Sequence, residues 1–204
     1  MRLVHIRRKE VVEFLEGNVP KYAILSHTWR AKEVSLQDMH NGHAFEKAGY
    51  VKIVQSCNQT EKDGLDYIWI DTCCIDKTNN VELSEAINSM FRWYGEAEIC
   101  YAFLDDVSSR AVDARSTLEQ SFHDCRWFKR SWTLQELLAP DEILFFARNW
   151  EPIGTKASLC DIVSDVTRIS VHILRGEKPI KNASVAQRMC WASNRRTTRI
   201  EDIA

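Results

Sequence analysis

Four short runs constrain the fold of this 204-residue chain more than any other feature: YAILS (22–26), YIWI (67–70), ICYAFL (99–104) and EILFF (142–146). Each has the length of a strand, and a strand that is apolar along its whole course has both faces covered. Helical patterns lie between them. Residues 45–61 carry Phe45, Ala48, Val51, Ile53 and Val54 at helical intervals and close on Lys62-Asp63-Gly64, a glycine cap. Asn79 followed by Glu82 marks a second helix start, after which Leu83, Ala86, Ile87, Met90 and Tyr94 keep the i, i+3, i+4, i+7 rule. Buried strands alternating with helices predict an α/β fold, a flavodoxin-like, mostly parallel sheet of about four to five strands with helices on both faces. Right-handed crossovers would bring the strands' C-terminal ends to one edge, where open α/β sheets bind ligands. The polar residues there are Ser26, His27 and Trp29, then Asp71 and Thr72, then Asp105 and Asp106.

The flanks read less sharply. Residues 2–6 suit an edge strand and 11–15 a helical turn or two. The serine-rich stretch 108–121 suits a loop or a loosely held helix. Beyond Trp150 the pattern predicts a helix over 155–167, a loop over 178–182 and a short helix over 185–192. Thr198 and Glu201 form a capping box that announces a helix at Arg199, and the sequence ends three residues after Glu201. The expected organisation is one domain over 1–204, with a core at 20–150 and an extension at 151–204, shortened at its C-terminal end.

Composition excludes several classes. A net charge of −2 offers nothing to nucleic acid or an anionic membrane, and no apolar run is long enough for a membrane span. Seven cysteines without a C-x₂-C pair predict neither a disulfide framework nor a zinc site, and point to a reducing, cytoplasmic setting. His40 and His43 lack further ligands nearby, so no metal is expected. Dinucleotide, P-loop and nucleophile-elbow signatures are absent. His123 and Cys125, two apart, do not suit a nucleophile and its base, and Cys73-Cys74 suit core thiols. Seven tryptophans are the one outlier, suited to a packed core plus a stacking or partner surface.

The densest run, RWFKRSWTLQELLAP (126–140), predicts a helix from Trp127 that stops at Pro140. Trp127, Leu134, Leu137 and Leu138 gather on a core face, whereas Trp132 and Glu136 fall together on the opposite side. A tryptophan beside a carboxylate there suits either a solvated surface or a cleft wall. The basic segment at 195–199 reads as a solvated turn.

YAILSHTW (22–29), YIWIDTCCIDK (67–77), ELSEAINSMFRWYGEAEICYAFL (82–104), RWFKRSWTLQELLAP and RRTTRIEDIA (195–204) together resemble the fungal heterokaryon-incompatibility (HET) domain over nearly the whole chain. Arg30 and Ser131 stand where that family commonly has glycine. The resemblance implies a part in the programmed cell death that follows fusion of incompatible fungal cells, with an upstream sensor domain or protein as a partner. WTLQEL (132–137) is also similar to the W-C-L-x-E-L segment of Toll/interleukin-1 receptor (TIR) domains, in which the glutamate is catalytic in NAD⁺ cleavage. That likeness implies a TIR-like fold and an NAD⁺ glycohydrolase without a cofactor, NAD⁺ being substrate. It makes Glu136 the catalytic residue, with Ser26, His27, Trp29, Asp71 and Trp132 binding the substrate. The alternatives are a homotypic assembly module, self-associating through this domain, and a small-molecule sensor without turnover.

Overall fold

The chain opens on a hairpin. Arg2–His5 (β1) and Glu10–Glu13 (β2) pair antiparallel, Leu3 opposite Val12 and Val4 opposite Val11. The helical turn expected at 11–15 is therefore a strand. So short a segment has no helix stability of its own, and its paired valines suit a pleated surface. Nor is β1 an edge, because its other side pairs antiparallel with the YIWI strand.

The computed structural model describes residues 1–196, which form two compact units, one from Met1 to Tyr101 and one beginning at Ala102. In the first unit, Ala23–His27 (β3) is buried at every position. Leu36–His40 (α1) follows, with a capping box from Ser35 and Asp38, then Tyr50–Lys62 (α2). The α2 helix starts later than its pattern predicts, after a 3-10 turn at Ala44–Glu46. Phe45 and Val51 are exposed, and the buried stripe is Ile53, Ser56, Cys57 and Thr60. Its end is a Schellman motif: Gly64 at φ +75°, with Gly64 N–H on the Glu61 carbonyl and Leu65 N–H on that of Thr60, both at 3.1 Å.

Tyr67–Ile70 (β4) runs straight into a one-turn helix, Asp71–Cys74 (α3). The helix Asn80–Glu96 (α4) is capped by the Asn79 side chain, as expected. It packs Tyr94 and Trp93 on Trp69 of β4, with ring centroids 5.8 and 5.7 Å apart. The Tyr94 hydroxyl donates to the Leu25 carbonyl of β3 at 3.3 Å. β3 and β4 are parallel, Ala23 opposite Ile68 and Leu25 opposite Ile70. Ile99–Phe103 (β5) is next, and the strand order of this unit is β2-β1-β4-β3-β5.

In the second unit a 3-10 turn at Ser109–Asp113 and the helix Arg115–Asp124 (α5) occupy the stretch expected to be loop or loose helix. Trp127–Lys129 is a separate 3-10 turn, the backbone is extended at Arg130, and the helix proper is Thr133–Leu138 (α6). Ile143–Phe146 (β6) follows, and Pro152–Thr155 (β7), a strand the sequence does not predict, pairs with it antiparallel. Trp127, Phe128, Phe122 and Phe145 form the aromatic core here, with Trp127–Phe128 centroids 4.9 Å apart. Cys160–Thr167 (α7) begins five residues later than expected, after the β7 turn. Val171–Leu174 (α8) follows, and the expected loop at 178–182 contains a 3-10 turn at Ile180–Asn182. Val185–Ser193 (α9) stands where the pattern puts it, under a Ser184–Gln187 capping box. The capping box at Thr198 and Glu201 lies outside the described residues.

The α/β class is as expected, and the sheet mixes the expected parallel pairing of β3 and β4 with antiparallel pairs. Seven strands among the described residues exceed the expected number; the additional ones, β2 and β7, enter through antiparallel pairs.

Candidate functional site

Parallel pairing of β3 and β4 puts their C-terminal ends on one edge, and there His27, Trp29 and Asp71 meet. Asp71 begins α3 and accepts at both oxygens: from His27 Nε2 at 3.0 Å and from Trp29 Nε1 at 2.7 Å. The other ring nitrogen of His27 faces the Lys52 ammonium of α2 at 3.2 Å. An ammonium has no lone pair, so Nδ1 is the acceptor and the proton sits on Nε2, aimed at Asp71. Lys52 also donates to the Thr28 carbonyl at 3.1 Å and to the Glu33 carboxylate, using all three of its hydrogens. Burial by itself would raise the Asp71 carboxyl. The His27 contact, the Lys77 charge and the Trp29 N–H instead hold it down at about 2.

His27 and Ser26 are buried on β3, while Trp29 is 39% exposed. The Lys77 ammonium lies over the Trp29 ring, 3.5 Å from its centroid, a cation–π contact. Trp29 is thus an indole fixed at its N–H end by a buried carboxylate, with its ring at the surface. Arg30 has no left-handed backbone where the family has glycine, and neither has Ser131.

In the second unit, the predicted core face of the RWFKRSWTLQELLAP segment is rotated. Thr133, Glu136 and Leu137 are the buried residues of α6, and Leu134 and Leu138 are only half-buried. Glu136 is 6% exposed. It is neither a surface glutamate nor on the face opposite the core. Trp132, at the N-cap, is half-buried.

The rotation has an identifiable cause. The sequence predicts Arg195 in a solvated turn, yet it is half-buried, with its Nη2 fully so. Its Nη1 donates to the Arg130 carbonyl at 3.0 Å and to the Thr133 hydroxyl at 2.9 Å, and its Nε to the Trp191 carbonyl at 3.2 Å. Arg196 adds a short parallel bridge: its N–H bonds the Lys129 carbonyl at 2.7 Å, and its carbonyl accepts from Ser131 at 3.2 Å. These bonds take up the backbone groups at 129–131 that a continuous helix would have used, so the helix starts afresh at Thr133. At the other end, the Lys156 ammonium bonds the Pro140 carbonyl. Arg126 anchors the start of the segment, bidentate to Asp105 at 2.9 and 3.0 Å and bonded through its backbone N–H to Asp106 at 2.9 Å. The two acids expected at a ligand rim thus hold this segment in place.

Three of the buried cysteines, Cys125, Cys73 and Cys57, are poor nucleophiles. Cys125 donates to Asp106 at 3.1 Å, and burial, with that carboxylate, pushes its thiol far up. Cys73 is raised by its hydrogen bond to Cys74 and by burial, and burial pushes Cys57 up to about 12. His123 pairs with Asp165, not with a thiol. Sequence reasoning missed Lys52, Lys77, Thr133 and Arg195. Lys77, Thr133 and Arg195 lie in segments that carry the family resemblance, whereas Lys52 lies outside all of them.

An α/β chain with this strand-end cluster matches the family described as Heterokaryon incompatibility protein (HET) over residues 22–120. The chain carries a HET domain. It is 49% identical over 192 residues to vegetative incompatibility protein HET-E-1 of Podospora anserina, a match that covers 92% of this chain. The chain spans 14% of that protein's length. No solved structure matches the chain.

Proposed function

We propose that this domain is an incompatibility effector that contributes to cell death by cleaving NAD⁺ between nicotinamide and ribose, with Glu136 as the catalytic carboxylate. One observation carries the reading. Glu136 is a buried acid on a helix fixed at both ends, four residues after Trp132. Breaking the N-glycosidic bond develops positive charge on the ribose, and a preorganised carboxylate in a water-poor setting stabilises that charge far better than one in water. The W-x-L-x-E-L likeness to TIR domains points to the same residue. In the first unit, Ser26, His27, Trp29 and Asp71 remain the candidates for binding a ring-bearing ligand. Trp29 lies at the surface with Lys77 over its ring, and Asp71, itself held by His27, orients it.

The test is NAD⁺ loss over time with the wild-type chain and with Glu136→Gln. A fall of about 100-fold or more is expected on removing one such electrostatic group. Equal loss from the two proteins sinks the role of Glu136. NAD⁺ that binds but stays intact supports a sensor instead. The homotypic-assembly reading gains from the exposed Val185 and Met189, one turn apart on α9. It gains nothing from Glu136, which has little surface to offer a partner.

A further inference from the structure

We propose that the groove between the β1–β2 hairpin and α4 is a docking site for an extended basic peptide, which seats an arginine side chain on Trp93 and pairs it with Glu96. The inference stands apart from the glycohydrolase reading.

The groove has a volume of about 640 Å³ and lies wholly within the first unit, a size in the range of ligand sites. One wall is a stripe of α4: Glu82, Glu85, Ser89, Arg92, Trp93 and Glu96 share one helical face. Arg2 of β1 and Glu13 of β2 stand on the other wall, with Glu16 beyond them. Trp69 lies beneath, its ring centroid 5.7 Å from that of Trp93. Trp93 is half-buried and lines the groove with its indole. The walls are already joined by guanidinium–carboxylate pairs: Arg2 bonds Glu82 and lies 3.9 Å from Glu13, and Arg92 bonds Glu16 at 2.7 Å. Both arginines of the groove are thus taken up. Glu85 and Glu96 hold no hydrogen bond or ion pair among the described residues, so the surplus charge is negative. An indole with a carboxylate one turn on suits a planar guanidinium, which stacks on the ring and bonds the acid at once. Length decides for a peptide. Glu85 and Glu96 are about 16 Å apart along the helix, a span that about five extended residues cover.

The probe is the capped hexapeptide acetyl-Arg-Ala-Ala-Ala-Ala-Arg-amide. The readout is the ¹⁵N-labelled indole N–H resonance of Trp93, assigned by its loss in Trp93→Phe. The peptide is expected to move that resonance saturably, and the same peptide with glutamate for arginine to leave it in place. Glu85→Gln/Glu96→Gln should weaken binding about fivefold, the loss of two exposed ion pairs. Asp141→Asn/Glu142→Gln removes the same charge from exposed positions in the second unit and should bind as the wild type does. Ser89→Trp fills the groove without changing its charge and should abolish binding. An unmoved Trp93 resonance overturns the proposal. So does equal weakening by the two double mutants, which marks diffuse attraction, or undiminished binding to a folded Ser89→Trp. If Ser89→Trp does not fold, the two double mutants decide alone. Spermine that binds as tightly as the peptide overturns the peptide as occupant.

Discussion

Replacing Asp71 with asparagine tests the strand-end cluster quantitatively. Both carboxylate oxygens accept from fixed donors, His27 Nε2 and Trp29 Nε1, on a side chain only 16% exposed. Asparagine offers one acceptor and turns its NH₂ towards the other donor. The carboxyl is held at about 2 against an ordinary value of 3.8. A depressed carboxyl contributes stability in full above its unfolded value and loses it as pH falls through the folded one. The shift corresponds to about 2 kcal/mol at pH 7, about 1 at pH 3 and little at pH 2, taking 1.36 kcal/mol per unit. Leaving one donor unsatisfied adds about 1 kcal/mol that does not depend on Asp71 titration. Urea unfolding of wild type and Asp71→Asn from pH 7 down to pH 3, with m-values checked for constancy, should therefore give a difference of about 3 kcal/mol that narrows to about 2. A difference that stays flat, or one under about 0.5 kcal/mol at pH 7 where the estimate rests on these principles, would refute the reasoning.

Two further substitutions probe the same frame. Lys52→Met strands the Glu33 carboxylate, whose side chain is 13% exposed, and frees His27 Nδ1. It should cost about 3 kcal/mol in chemical unfolding, with partial recovery in the Lys52→Met/Glu33→Gln double mutant. Gly64→Ala puts a Cβ at φ +75° with no atom within 4 Å to meet it. The loss should be purely conformational, about 1 kcal/mol, and visible as a lowered Tm without a change in NAD⁺ loss.

The candidate site was only half legible in the sequence. Three of its members, His27, Trp29 and Asp71, were found because polar residues ending apolar strands gather wherever those strands run parallel. Their pairing across 44 residues depends on that parallel register. Lys52 is a lysine on a mixed helix, and nothing local distinguishes it from a solvated one. Glu136 stands out from helical spacing as well as from a family likeness, but spacing puts it on the wrong face, because a pattern carried through 129–131 treats an extended backbone as helical.

Sequence by itself determined what is settled within a few residues: the buried runs that became β3 to β6, the Asn79 cap of α4, and the glycine stop after α2. Hydrophobic period, side-chain caps and positive φ are short-range properties, and they act before any tertiary contact forms. Tertiary structure decided where α6 starts and which face it buries, because the groups responsible, on Arg195 and Arg196, come from about 65 residues away. It also turned residues 10–13 into a strand by giving their valines a partner in β1. A backbone N–H or a buried charge must find a counterpart somewhere, and when that counterpart is distant in the chain only the folded molecule reveals it.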